Sequence, residues 1–352
     1  MNPEDKLFIA GHRGLVGSAL VRALKRKGYR NLVLRTHAEL DLTDRRAVEE
    51  FFTDEKPEYV FLAAAKVGGI LANNSYPADF IRVNLEIETN VIHQSFAHGV
   101  DRLIFFGSSC IYPRDCPQPI KEDYLLAGPL EPTNSAYAIA KIAGIEMCAS
   151  YNRQDGTRFL AVMPTNLYGP GDNYDPQTSH VLPALIRKMH EAKANNAREV
   201  SIWGSGKPRR EFLHSDDLAE ACIMLASLDD TAYSELLGAS RHPLINIGCS
   251  KDATISELAG IIADVVGFDG KLLYDAAKPD GTPQKRLDIS RISALGWSPG
   301  IALRDGIAGT YEQLLRGSDL AKPAISSAFP PEYFLPHPGQ SKVQRVDGIT
   351  LR

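Results

Sequence analysis

The chain has 352 residues, 44% of them hydrophobic and 23% charged, with a formal net charge of −4. That supplies one large core or two joined ones, and the weakly negative balance argues against a nucleic-acid or membrane-surface partner. The polar start, Met1 to Lys6, leads into no apolar h-region, and no run of about eighteen apolar residues occurs, so a soluble, cytoplasmic protein without signal peptide or spanning helix is expected. The five cysteines, Cys110, Cys116, Cys148, Cys222 and Cys249, are scattered and fit reduced thiols. The nine histidines show no ligand spacing, so no metal is expected.

In chain order, Lys6–Ala10 predicts a buried strand, followed by a glycine turn. Leu15–Lys27 places Leu15, Val16, Ala19, Leu20, Ala23 and Leu24 at helical spacing. Asn31–Arg35 predicts a second strand, and Thr43–Phe52 a helix capped by Thr43. Tyr59–Ala64, Leu103–Phe106 and Phe159–Met163 are further buried strands, with helices over Asn84–His98 and Ser135–Asn152. Strands alternating with helices imply an α/β fold with right-handed βαβ units and a ligand crevice at the strands' carboxyl ends. The expected architecture is a Rossmann-type doubly wound parallel sheet over residues 1–170 and a smaller C-terminal substrate-binding lobe over 171–316. Residues 210–226 and 244–249 are candidates to return to the first sheet. In the lobe, His180–Ala194 and Thr254–Val266 (capped by Thr254) predict helices, and Val200–Trp203 and Leu244–Gly248 predict strands. The tail, 317–352, is rich in Pro and Ser without periodicity and is expected to be extended or partly disordered.

Gly11, His12, Arg13, Gly14, Leu15, Val16 and Gly17 lie between the first strand and the first helix. Glycines there let backbone approach a pyrophosphate, which the helix N-terminus then attracts. An NAD site usually places a carboxylate after the second strand. This chain offers Arg35, Thr36 and His37, with Arg13 nearby, so a 2′-phosphate and hence NADP(H) is expected. Asp41 and Leu42 follow at a distance suited to the adenine.

Tyr137 and Lys141 are four residues apart at the start of a helix and share one side of it. A phenol near pKa ~10 is a poor acid–base at neutral pH, and a neighbouring ammonium stabilises its anion. Ser108, beyond the Leu103–Phe106 strand, is placed to donate to a substrate carbonyl while Tyr137 exchanges a proton with it.

With these residues the chain resembles the extended short-chain dehydrogenase/reductase superfamily over most of 6–316, and within it the GDP-L-fucose synthase family. The carrying segments are residues 10–17, 64–70, 107–113, 164–170, 203–206, 210–214 and 278–283. The resemblance implies NADPH-dependent 3,5-epimerisation and 4-reduction of a GDP-linked 4-keto-6-deoxymannose. Dehydratases of the superfamily carry an Asp-Glu pair where this chain has Cys110 and Ile111. On their own, Cys110 fits a small buried hydrophobe and His180 a surface residue at a helix start. The resemblance makes them the base and acid that invert C3 and C5, with His180 also beside the cofactor. It further assigns Pro164, Thr165, Asn166 and Leu167 to the nicotinamide, and Lys188, Trp203, Arg210 and Asp280 to the GDP-sugar. Trp203 is equally compatible with core, and Arg209 stands as an alternative phosphate ligand. His37 departs from the family, which often has a second basic residue there. A homodimer through the helices at 84–98 and 135–152 is implied. Two other functions compete: a 4-epimerase or reductase of the same superfamily, and a non-catalytic dinucleotide sensor.

Overall fold

The computed structural model describes residues 1–317 apart from Gln177 and Pro279; the expected tail lies beyond Gly317, outside the described residues. The first half runs β1 (Leu7–Ala10), α1 (Leu15–Arg26), β2 (Leu32–Val33), α2 (Arg45–Glu55), β3 (Tyr59–Leu62), α3 (Ile70–Ser75), α4 (Pro77–Ala97), β4 (Arg102–Phe106), α5 (Ser135–Asp155) and β5 (Phe159–Pro164). The second runs β6 (Asn166–Tyr168), α6 (Val181–Ala194), β7 (Glu199–Trp203), β8 (Arg209–His214), α7 (Ser215–Ala226), α8 (Asp230–Gly238) and β9 (Leu244–Ile247). It ends with β10 (Asp252–Thr254), α9 (Ile255–Val266), β11 (Lys271–Asp275), β12 (Gln284–Lys285), α10 (Ser290–Ala294) and α11 (Leu303–Gly317).

Six strands form one parallel sheet in the order β2-β1-β3-β4-β5-β9. β1, β3, β4, β5 and β9 are buried at every residue. Helices cover both faces of such a sheet, which is why these strands are mainly apolar runs rather than alternating ones, Arg102 and Asn246 being the buried polar exceptions in β4 and β9. The order reverses between β1 and β3, so ligands are expected above the carboxyl ends of those two strands. α7 docks beside α1, fixed by Arg22 on Asp216 at 2.6 Å. A second core, containing Leu182, Ile186, Ile202, Phe212, Ile262 and Ile307, fills the smaller part of the molecule. Around it lie β10-β8-β12, with β6 also on β8, and the β7–β11 pair.

Three local expectations differ from the structure. β2 is two residues long rather than five, because this edge strand pairs only Leu32 and Val33 with β1. α2 is capped by Asp44, not Thr43. The Thr43 hydroxyl donates to Asp41 at 2.7 Å, and the Asp44 carboxylate accepts from the Arg46 and Ala47 N–H groups at 2.9 and 3.2 Å. α4 starts at Pro77, seven residues before the expected Asn84, since proline's fixed φ suits a first helical turn. Thr254 does cap α9, in a reciprocal box with Glu257. Among the described residues, no helix is long and apolar enough to cross a membrane, and no three His, Cys, Asp or Glu side chains gather as a metal site.

Candidate active site

Above β1 and β3 the backbone itself forms the first part of the site. Gly11 takes φ 83°, and a Cβ there would lie 2.8 Å from the Ala64 nitrogen. A Cβ on Gly17 would lie 2.2 Å from the Gly11 oxygen. Both positions therefore require glycine. Gly14 heads α1 with no side-chain cap, leaving the first-turn N–H groups of Leu15 and Val16 open to an anion. His12 Nδ1 is buried and has no hydrogen-bond partner among the described residues; burial, reinforced by the Arg13 charge, lowers its pKa. A dinucleotide pyrophosphate fits this uncapped, glycine-rich turn.

The cleft continues over the end of β2 as a cavity lined in part by Phe8, Gly11, Arg35, Asp41, Leu42 and Ile87. Arg35 lies 5.8 Å from the Phe51 ring centroid and pairs with Glu55, whose carboxylate also takes Lys6 at 3.3 Å. Arg13 is exposed. The nearby carboxylate Glu39 is turned back onto the Thr36 N–H and hydroxyl at 2.7 and 2.8 Å. Asp41 accepts from the Thr43 N–H, and α4 pins the loop through Asn90, which donates to the Leu42 carbonyl at 2.9 Å.

Ser108 follows β4, and its hydroxyl accepts the Cys110 N–H at 3.5 Å in a short 3-10 turn. From α5, Tyr137 packs edge-on against Phe80 with ring centroids 6.3 Å apart. The Lys141 ammonium lies 4.7 Å from the Phe105 ring centroid and 5.9 Å from that of Tyr137. Burial first, then the charges of Cys110 and Glu88, push the Tyr137 phenol well above its ordinary value. Burial also raises the Cys110 thiol, opposed most by Lys285 and then by Ser108 and Lys141. Phenol and ammonium are neighbours, with the Cys110 thiol within electrostatic reach of both, and a phenol held protonated by burial is a proton donor at neutral pH.

His180 occupies the N-cap of α6, where its side chain caps nothing and its carbonyl accepts the Ala184 N–H at 3.0 Å. The residue is exposed, yet surrounding protein lowers its pKa by desolvation. The preceding loop closes on the chain after β3: the Thr178 and Ser179 carbonyls lie 3.6 Å from where a Gly69 Cβ would be. At the end of β5, Pro164 leads into Thr165 and Asn166, which both donate to the Glu211 carbonyl, at 3.3 and 2.9 Å; Leu167 is half-buried.

The four residues expected at the GDP-sugar gather at the end of β7 and beside it. Lys188 Nζ donates to the Ser201 carbonyl at 2.9 Å. Trp203 is 69% exposed, so it is not core, and the Lys278 ammonium lies 5.5 Å from its ring. Asp280 accepts from the Ser205 N–H and hydroxyl at 2.8 and 2.6 Å. Arg210 donates to the Thr282 carbonyl at 2.6 Å; burial lowers its pKa while Asp280 opposes. Arg209 is committed elsewhere, to Asp252 at 3.0 Å. Neighbours in a strand point to opposite faces, so only one of the two arginines faces Asp280.

Residues 7–236 match the NAD dependent epimerase/dehydratase family. A putative GDP-L-fucose synthase of Arabidopsis thaliana is 60% identical over 315 residues, covering 90% of this chain and 93% of that protein. The GDP-L-fucose synthase of Escherichia coli is 54% identical, over 90% of this chain and 98% of its own. The chain belongs to the GDP-L-fucose synthase family. A solved GDP-mannoheptose C4 reductase from Campylobacter jejuni, with NADP bound, is 44% identical at a TM-score of 0.82, covering 90% of this chain and 99% of that one.

Two charged residues of this family member's pocket carried no signal in the sequence. Lys285, on β12 and in register with Arg210 on β8, lies within electrostatic reach of Cys110; burial lowers its pKa, with Cys110 opposing. Glu88, on α4, reaches Lys141. Neither belongs to a local pattern: strand pairing brings in the first and helix packing the second.

Proposed function

We propose that this chain carries out the NADPH-dependent 3,5-epimerisation and 4-reduction of GDP-4-dehydro-6-deoxy-D-mannose to GDP-L-fucose. The observation that carries this reading is the Ser108–Cys110 turn after β4, which sets a buried thiol beside the hydroxyl that accepts its N–H. The curated relatives at 54% and 60% identity support it.

Gly11, Gly14 and Gly17 would hold the cofactor's pyrophosphate with the Leu15 and Val16 N–H groups, beside His12. Arg13 and Arg35 would hold its 2′-phosphate, Asp41 and Leu42 its adenosine, and Lys141 with Pro164–Leu167 its nicotinamide end. Bound NADPH supplies the hydride that reduces C4. Ser108 and Tyr137 polarise the C4 carbonyl, which acidifies the C–H bonds at C3 and C5. Cys110 as thiolate removes each proton, and His180 returns one to the opposite face. Lys285 and Lys141 oppose the desolvation that disfavours the thiolate. Tyr137 then donates its proton to the C4 oxygen. Lys188, Arg210 and Trp203 take the GDP portion, with Asp280 at the sugar or nucleotide.

The functional unit in this reading is a cytoplasmic homodimer formed through α4 and α5, whose outer surface includes the half-buried Met147 and Tyr151 and the exposed Ile139. Incubation with GDP-4-dehydro-6-deoxy-D-mannose and NADPH, followed by absorbance loss and product chromatography, tests the activity. Cofactor oxidation giving a product that retains the manno configuration at C3 and C5 would reduce the reading to a plain C4 reductase.

A further inference from the structure

α4 and α5 pack along each other, and between them lies an ion pair shielded from water. Lys141 Nζ is 3.0 Å from Glu88 Oε1, with the two side chains 2% and 1% exposed. Neither Glu88 oxygen has a well-directed hydrogen bond among the described residues, so the contact is one of charge. The space for the carboxylate comes from Gly144 on α5, where a Cβ would lie 2.9 Å from Glu88 Oε2 and 2.4 Å from the Phe105 ring. Phe105 closes the other side of the ammonium. The titratable groups within electrostatic reach of Glu88 are Lys141, Tyr137 and Cys148, all on α5; β4 contributes only the Phe105 ring.

We propose that Glu88 is a positioning residue, holding the Lys141 ammonium through this buried pair and keeping Tyr137 in its proton-carrying form. This rests on the reading of Tyr137 as the acid and Lys141 as its partner. An ammonium alone would favour the phenolate. An ammonium already balanced by a buried carboxylate favours it much less, and the carboxylate itself repels the phenolate. A ketone reductase needs that bias, because its tyrosine must enter the reaction protonated. The ion pair also fixes Lys141 by one end, leaving its remaining N–H groups to the cofactor's ribose.

The test is an ultraviolet titration of Tyr137, taken as the difference between each protein and the same protein carrying Tyr137→Phe. It needs neither substrate nor turnover. In Glu88→Gln, which preserves shape, the phenolate is expected at a pH lower by about one unit or more. Glu88→Asp, which withdraws the charge by one methylene, is expected to show a smaller shift in the same direction, and it stands as the test should the glutamine variant not fold. An unchanged phenol titration in a folded variant would overturn the proposal, since a purely structural Glu88 would not move it. Failure of the wild-type protein to convert the GDP-sugar would overturn the proposed activity instead, with the titration reported independently.

Discussion

Replacing Arg35 by alanine separates cofactor selection from catalysis. The guanidinium stands at the rim of the cavity over β2 and pairs with Glu55, the two side chains being 36% and 26% exposed. A half-exposed pair of this kind contributes about 0–1 kcal/mol, so little is lost when Arg35 turns to a phosphate. A charge-assisted guanidinium–phosphate contact contributes about 1.5–3 kcal/mol. The difference, about 0.5–3 kcal/mol, corresponds to a rise in KM for NADPH of about 2- to 150-fold. NADH has no 2′-phosphate, and its KM should stay where it is. Glu55→Gln should act in the opposite direction, lowering KM for NADPH a few-fold by releasing Arg35. Initial rates with each cofactor at saturating GDP-sugar give the four constants. An equal loss for NADPH and NADH in Arg35→Ala would remove Arg35 from 2′-phosphate recognition and leave that contact to Arg13.

Cys110→Ser should slow proton exchange at C3 and C5 by about 100-fold or more, because general-base catalysis typically contributes that much, while NADPH affinity stays constant. Deuterium incorporation from solvent reads the first and fluorescence titration the second; equal losses would take the thiol out of the mechanism. Gly17→Ala should cost about 1–3 kcal/mol of stability and weaken NADPH binding, since its methyl meets the fixed Gly11 carbonyl rather than a movable side chain; an unshifted thermal midpoint would contradict this. Burial, opposed by Lys141, lifts Glu88 from 4.5 to about 7, so the carboxylate that balances Lys141 is fully formed only above about pH 7, where the phenol is titrated. The folded value of Glu88 thus exceeds its unfolded one, so its contribution to stability is fully present below pH 4.5 and is lost as pH rises through about 7. Glu88→Gln should flatten the fall in urea midpoint between about pH 5 and 7, and a slope identical to wild type would refute the assignment.

Whatever the backbone settles within one turn was legible in the sequence. The Gly11–Gly17 spacing is a steric requirement of a strand–turn–helix joint. Tyr137 and Lys141 face together because a helix returns every four residues. The fully buried strands appear as apolar runs because helices cover both faces of the sheet. Where two neighbouring side chains compete for one role, the sequence could not choose reliably between them. Thr43 is the expected cap, but Asp41 takes the threonine hydroxyl and Asp44, equally suited by type, caps instead. Arg209 and Arg210 both suit a phosphate, and the structure commits the first to Asp252, which favours Arg210 in the proposed site.

What stayed hidden is the set of charges that tune the site. Sheet and helix packing deliver them from distant parts of the chain, with no periodicity to mark them. Lys285 arrives through the pairing of β12 with β8, and Glu88 through the packing of α4 on α5. Both act on the acid–base groups without being part of the short pattern that announces them. Lys285 only partly offsets the burial that raises the Cys110 thiol, while Glu88 adds to the burial that raises the Tyr137 phenol. In the proposed reaction the first helps a base at C3 and C5 to hold a negative charge, and the second helps an acid at C4 to keep its proton until the hydride arrives. A chain with the same glycine turn and the same Tyr–Lys spacing, but no carboxylate in place of Glu88, should therefore lose the bias that keeps its tyrosine protonated.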